Sequence, residues 1–197
     1  TTVFNGRIYV YGGINGTALK NNVYHVAVNN DGSLNGTWAN QSITGLGMTS
    51  VSWAFVYTRA KPSTASSVPG NFYAFGGCST GGGIGCSAYT QNVYKCDIAI
   101  TTGNLSACTT TGQLAIGTVT DGDGTSATGT GLGAMAGTVY ANYIYLIGGL
   151  APNLADLRTT RYAKFDDNNN VVTVGSGWEE TSLLDGNLTN TGRRRGS

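Results

Sequence analysis

Charge is what this sequence has least of. Only 11% of its 197 residues are Asp, Glu, Lys or Arg, against an ordinary share of about 25%. A chain so poor in Lys and Glu cannot clothe itself in a charged helical surface. Histidine is nearly missing too. His25 is the only one, which excludes a metal centre built on several imidazoles and leaves any Ser-His-Asp arrangement dependent on that one residue. No apolar run reaches the roughly 18 residues of a spanning helix, and no leader-like segment opens the chain. Its first residue is Thr1 rather than Met, which reads as a processed or excised product. Formal net charge is +1, of which Arg193, Arg194 and Arg195 hold three positive charges, so the body is close to neutral. Without a basic stripe to follow phosphates, nucleic acid is not expected as a partner. The Arg run reads as a solvated, protease-sensitive end.

What remains is Gly, with 31 residues, and an abundance of Asn, Ser, Thr and Tyr around a 40% hydrophobic share. Runs of Val, Ile, Tyr and Phe separated by Gly, Asn and Asp turns define an all-β chain. The runs repeat. Arg7-Ile8-Tyr9-Val10-Tyr11-Gly12-Gly13 recurs as Asn71-Phe72-Tyr73-Ala74-Phe75-Gly76-Gly77, and again as Tyr143-Ile144-Tyr145-Leu146-Ile147-Gly148-Gly149. Each lacks polar alternation, as expected of strands covered on both faces. The glycine pairs allow a sharp turn where a Cβ would obstruct it. A second element follows each pair: Asn22-Val23-Tyr24-His25-Val26, Asn92-Val93-Tyr94-Lys95-Cys96 and, more loosely, Thr160-Arg161-Tyr162-Ala163. Turns come next, at Asn30-Asp31-Gly32-Ser33, Thr102-Gly103-Asn104 and Asp167-Asn168-Asn169-Asn170. Further strands are expected at Ser52–Tyr57 and Ala134–Tyr140.

Apolar-Tyr-apolar-Gly-Gly, then Asn-Val-Tyr, then Asp-Gly-x-Leu and a Trp (Trp38, Trp178) resembles the kelch repeat over most of residues 5–180. The resemblance implies a β-propeller segment over 1–186, with four-stranded blades at 5–50, 51–116 and 131–182, and a polar, basic tail at 187–197. Spacing exceeds the usual repeat of about 50 residues, and Thr109 stands where the middle blade would have Trp. The excess lies in Arg59–Gly70 and Gly117–Gly133, expected to be loops on a propeller face. Arg7–Gly13 matches the second strand of a blade, so the first blade is expected to lack its opening strand. About three blades make an incomplete ring, and another copy or a different chain is expected to complete it.

Four cysteines fall in the middle repeat. Sequence order and hairpin geometry favour Cys78–Cys86 and Cys96–Cys108 over the other two pairings. A four-cysteine zinc site needs close CxxC-type pairs, and these gaps are eight, ten and twelve residues. Asn-x-Ser/Thr sequons occur at Asn15, Asn35, Asn40, Asn104 and Asn187, compatible with a glycosylated surface. Paired cysteines and low charge together point outside the cell, to a secreted or surface-displayed chain.

Catalytic signals are sparse. His25 lies mid-strand between Val23 and Val26 and reads as a packed, hydrogen-bonded histidine. Asp121-Gly122-Asp123-Gly124-Thr125 resembles the start of a calcium loop without its closing acidic ligands. Gly81–Gly83 lacks the Lys-Ser/Thr of a phosphate loop and reads as a hairpin tip. Trp38, Trp53 and Trp178 could stack on sugars, although repeat-positioned Trp usually packs between blades. No cofactor is expected. The expected function is non-enzymatic: adhesion, glycan or protein recognition, or a unit of an extracellular assembly, since kelch-like repeats of this Asp-Gly-Ser-Leu type look similar to those of large bacterial surface proteins. The cysteine-bracketed loop, with Ser79, Thr80, Ile84 and Ser87, is the candidate binding element. The alternative is a carbohydrate-active isomerase of the sialic-acid epimerase or mutarotase kind, for which Arg7, Arg59, Arg158 and Glu179 are the candidate groups.

Overall fold

The computed structural model describes the chain apart from residues 17, 44–45, 47, 49–50, 63–68, 83–84, 107, 121–125, 152–156, 158, 173–177 and 184–197. Among the described residues there is no α-helix. The first sheet takes β1 (Thr2–Phe4), β2 (Arg7–Tyr11), β5 (Asn22–Val28) and β6 (Leu34–Ser42), in that spatial order, with β3 (Ile14–Asn15) and β4 (Ala18–Leu19) forming a small hairpin between β2 and β5. The second takes β7 (Phe55–Ala60), β8 (Gly70–Phe75), β11 (Val93–Ile98) and β12 (Thr109–Thr110), again with a hairpin, β9 (Cys78–Gly82) and β10 (Gly85–Tyr89), between the two inner strands β8 and β11. A two-stranded ribbon, β13 (Ala115–Thr120) and β14 (Ser126–Thr130), leads to the third sheet. That sheet is built from β15 (Ala136–Tyr140), β16 (Tyr143–Ile147) and β17 (Thr159–Phe165), whose outer edge is shared by β18 (Val171–Val172) and β19 (Glu179–Leu183). All pairings are antiparallel. The result is three consecutive antiparallel sheets, an incomplete blade arrangement.

Burial follows from position in this stack. Every residue of β8 is buried, because neighbouring sheets cover both faces of the middle sheet. In the matching strands β2 and β16 the pattern is broken, with exposure on the uncovered side. One core lies between the first and second sheets, from Tyr9, Val23, Phe72, Ala74, Cys96 and Leu105. A second lies between the second and third, from Tyr73, Phe75, Ile144, Leu146, Phe165 and Trp178. Aromatic rings knit both, with Tyr9 against Phe72 at 6.1 Å and Tyr73 against Phe165 at 5.2 Å between centroids.

Five expectations need correction. The first sheet does have an opening strand: β1 pairs with β2 through Thr2↔Tyr9 and Val3↔Ile8. Its three residues are too short to register as a repeat element. Residues 117–133 are not simply a loop, because Thr- and Val-rich segments of this span pair as β13 and β14. The strand expected at Ser52–Tyr57 begins at Phe55, and the one expected from Ala134 begins at Ala136, since the preceding residues are used as linkers. Finally, Tyr162 lies opposite Tyr145 just as His25 lies opposite Tyr9 and Lys95 opposite Tyr73. The third repeat is therefore shifted by one residue from its sequence match to Tyr24 and Tyr94, which moves Tyr162 to the other face.

Candidate functional site

The linkers between sheets converge on the ends of the glycine pairs. Entering the second sheet, Ser52 exchanges backbone hydrogen bonds with Cys78 at 3.0 and 2.7 Å. Entering the third, Gly133 does the same with Leu150 at 3.0 and 2.7 Å. Each linker also reaches the preceding sheet, where Gly13 N donates to Val51 O and Gly77 N donates to Leu132 O. Glycine is required at Gly76, with φ +55°, since a Cβ there would run into the Leu132 carbonyl. The two linkers touch, Ala134 N donating to Trp53 O at 2.8 Å. Trp53 and Ala134 occupy matching places, and both are left-handed, with φ of 59° and 53°. For residues carrying a Cβ this conformation costs about 1–2 kcal/mol and tends to be kept where function uses it.

Beside this junction stands the β9–β10 hairpin, closed by the Cys78–Cys86 disulfide. Cys78, Cys86, Tyr89 and Leu150 form a small buried cluster against which the half-buried Trp53 packs. Ser79 and Ser87 donate their hydroxyls to the carbonyls of Ala88 and Thr80, at 3.3 and 3.1 Å, which braces the hairpin across its width. Thr80 and Ser87 are exposed. Ile84 lies outside the described residues. The arrangement is a short, covalently closed, polar-rimmed hairpin beside an aromatic shelf, and the β3–β4 hairpin of the first sheet lies against it. Such pre-ordering lowers the entropy lost when a ligand docks.

The second disulfide, Cys96–Cys108, is internal to the second sheet's outer half. Disulfides form and persist in oxidising compartments, and among the described residues no helix is long and apolar enough to cross a membrane. Four sequon residues, Asn15, Asn35, Asn40 and Asn104, are exposed, while Asn187 lies outside the described residues. Asn104 is also a structural partner, its Oδ1 lying 2.9 Å from His25 Nε2. His25 is 2% exposed. Burial holds it below its ordinary pKa, the Asn104 hydrogen bond opposing that shift and the Arg7 charge adding to it.

Of the other candidate groups, the described ones, Arg7, Arg59 and Glu179, are not brought together. Arg7 donates to the Thr101 carbonyl at 3.3 Å between the first two sheets. Arg59 donates to Asn142 Oδ1 at 2.7 Å and lies 4.6 Å over the Phe165 ring, between the second and third. Glu179 begins β19, and Arg158 lies outside the described residues, as does the Asp121–Thr125 segment. Among the described residues no three His, Cys, Asp or Glu side chains gather as a metal site. Trp178 packs edge-on to Phe75 and donates to the Gly112 carbonyl at 3.1 Å, whereas Trp38 is 42% exposed. The strained linker junction was invisible in the repeat pattern. Only the shared placement of Trp53 and Ala134 just ahead of their strands could have signalled it. No family model matches this chain, and no curated protein matches it.

Proposed function

We propose that the chain is a non-enzymatic, kelch-like propeller module of a secreted or cell-surface protein, which recognises a glycan or protein through the disulfide-closed hairpin and the Trp53 shelf. The observation that carries this reading is the junction itself: a left-handed, half-buried Trp beside a hairpin locked by Cys78–Cys86. A half-buried aromatic side chain beside a hairpin with exposed Thr80 and Ser87 suits the apolar face and hydroxyl edge of a sugar, or a polar peptide surface. A module of this kind needs another copy or chain to cover its end sheets.

Glycan-array and surface-protein binding with the intact chain tests the reading. Binding is expected to fall at least tenfold in Trp53→Ala and in the paired Cys78→Ser, Cys86→Ser variant, with the melting transition retained. Turnover of a free sugar by the intact chain, or binding indifferent to both variants, overturns it.

A further inference from the structure

The two inter-sheet joints inside the chain obey one rule. Call the face that each sheet turns toward the next its front, and the opposite face its rear. From the front of the first sheet, the Tyr9 hydroxyl donates at 3.0 Å to the carbonyl of Gly103, in the turn of the second. From the front of the second, the Tyr73 hydroxyl donates at 2.5 Å to the carbonyl of Asn169, in the turn of the third. Gly103 and Asn169 are the left-handed residues one before the end of their turns, with φ of 75° and 60°. Beside each Tyr, the residue opposite it on the next strand reaches the following turn residue: His25 meets Asn104 Oδ1 at 2.9 Å, and Lys95 meets Asn170 Oδ1 at 2.9 Å.

Both halves of a third such joint exist in the chain, with no neighbouring sheet against either among the described residues, although Ser33 already bonds to Asp31 and Asn29 within its own turn. The third Tyr of the repeat is Tyr145, half-buried on the front of the third sheet, with Tyr162 opposite it. Among the described residues its hydroxyl meets nothing in the chain. The matching left-handed turn residue is Gly32, φ 85°, followed by Ser33, on the first sheet. The rear of that first sheet is correspondingly less covered, although Val26 on it is buried. Leu34 is 46% exposed, whereas its counterparts Leu105 and Val171 are 3% and 2% exposed. Ile8 and Val10 are half-buried, whereas their counterparts Phe72, Ala74, Ile144 and Leu146 are all buried. Val10, Tyr24 and Trp38 line an apolar pocket of about 370 Å³ on this face. Charge fits as well, since the exposed Lys164 lies on the front of the third sheet and Asp31 in the Gly32 turn. Lys95 already meets the Asp166–Asn170 turn in this way.

We propose that the front of the third sheet docks on the rear of the first sheet of a second copy of this chain, with Tyr145 donating to the Gly32 carbonyl and Tyr162 meeting Ser33. The joint continues an interface that the chain already makes twice. Two copies closed head to tail bring six sheets into one ring, within the range of about four to eight blades in which propellers close. The inference rests on the propeller reading above and names its partner; it does not depend on the ligand of the hairpin.

Sedimentation of the unglycosylated 197-residue chain is the test. The wild type is expected to be a dimer at micromolar concentration, and Tyr145→Phe to weaken it about 25-fold, by loss of one hydrogen bond at each of its two joints. Val10→Asp (rear) and Tyr145→Asp (front) are each expected to be monomeric with unchanged circular dichroism, as both sites are half-exposed in one copy. Leu34→Asp repeats the rear test at a more exposed position. A front-to-back joint has a further signature: mixing the rear variant with the front variant leaves one joint intact and restores a 1:1 dimer. A monomeric wild type at high micromolar concentration, association that survives either Asp variant, or no rescue on mixing overturns the proposal. Glycan or protein binding by a chain that stays monomeric would leave the recognition reading standing while removing this one.

Discussion

The hydroxyl of Tyr73 donates to the carbonyl of Asn169, 96 residues further along the chain and one sheet away. Tyr73 is fully buried, and burial pushes its hydroxyl pKa up. Tyr9, equally buried and raised to about 12, makes the corresponding bond to Gly103. These two contacts fix how far each sheet slides over the next. Removing one hydroxyl orphans a buried carbonyl. Tyr73→Phe and Tyr9→Phe are each expected to lower unfolding free energy by about 1–2 kcal/mol, and to add when combined, since they lie at different joints. Urea titration checks both values, and a neutral Tyr73→Phe would show that the turn carbonyl finds water instead.

Glycines of the repeated pairs should differ in tolerance. Gly76→Ala drives a Cβ into the Leu132 carbonyl at a positive φ, whereas at Gly13 nothing lies within 4 Å. Gly13→Ala is expected to cost about 1–2 kcal/mol of backbone strain alone, and Gly76→Ala clearly more. Equal melting temperatures for the two variants would contradict the linker geometry.

Acid stability carries a His25 component. Folding keeps this imidazole below its ordinary pKa, chiefly by burial beside Tyr9, with Arg7 the charge that bears on it. The unfolded chain takes up a proton below about pH 6.5 and the folded chain resists it. Stability is therefore full above that pH and falls as pH drops toward the folded value, by at most about 1.4 kcal/mol per pH unit. Denaturant midpoints between pH 7.5 and 5 should show this fall in the wild type and a flatter profile in His25→Gln. Any binding activity should survive that substitution. Identical profiles would remove His25 from the account.

The disulfides should be separable. Closing loops of 8 and 12 residues corresponds to about 2.5 and 2.8 kcal/mol of chain entropy. Non-reducing peptide mapping is expected to recover Cys78 with Cys86 and Cys96 with Cys108. Cys96→Ala with Cys108→Ala should destabilise the chain more than opening the hairpin, because Cys96 is fully buried beside Met48. Four titratable thiols in the native chain would contradict both pairs.

Much of the architecture was legible because it is written in repeats. Tyr9, Tyr73 and Tyr145 each stand three residues before a glycine pair, and a repeated local pattern specifies a repeated local structure. The low charge, the four cysteines in one repeat and the Asx-Gly turns likewise act over a few residues, so composition and spacing alone determined an all-β chain with two hairpin-scale disulfides. Tertiary structure decided what depends on neighbours. The three-residue β1 exists only because β2 offers it an edge, and the register of β17 turned on pairing with β16, where a one-residue slip moves Tyr162 from one face to the other. The left-handed Trp53 accepts a bond from Ala134 of the other linker, remote in sequence. How far a given Tyr is buried is not a property of its repeat at all: Tyr9, Tyr73 and Tyr145 have the same local sequence environment, and only the presence of a next sheet covers the first two and leaves the third half-buried.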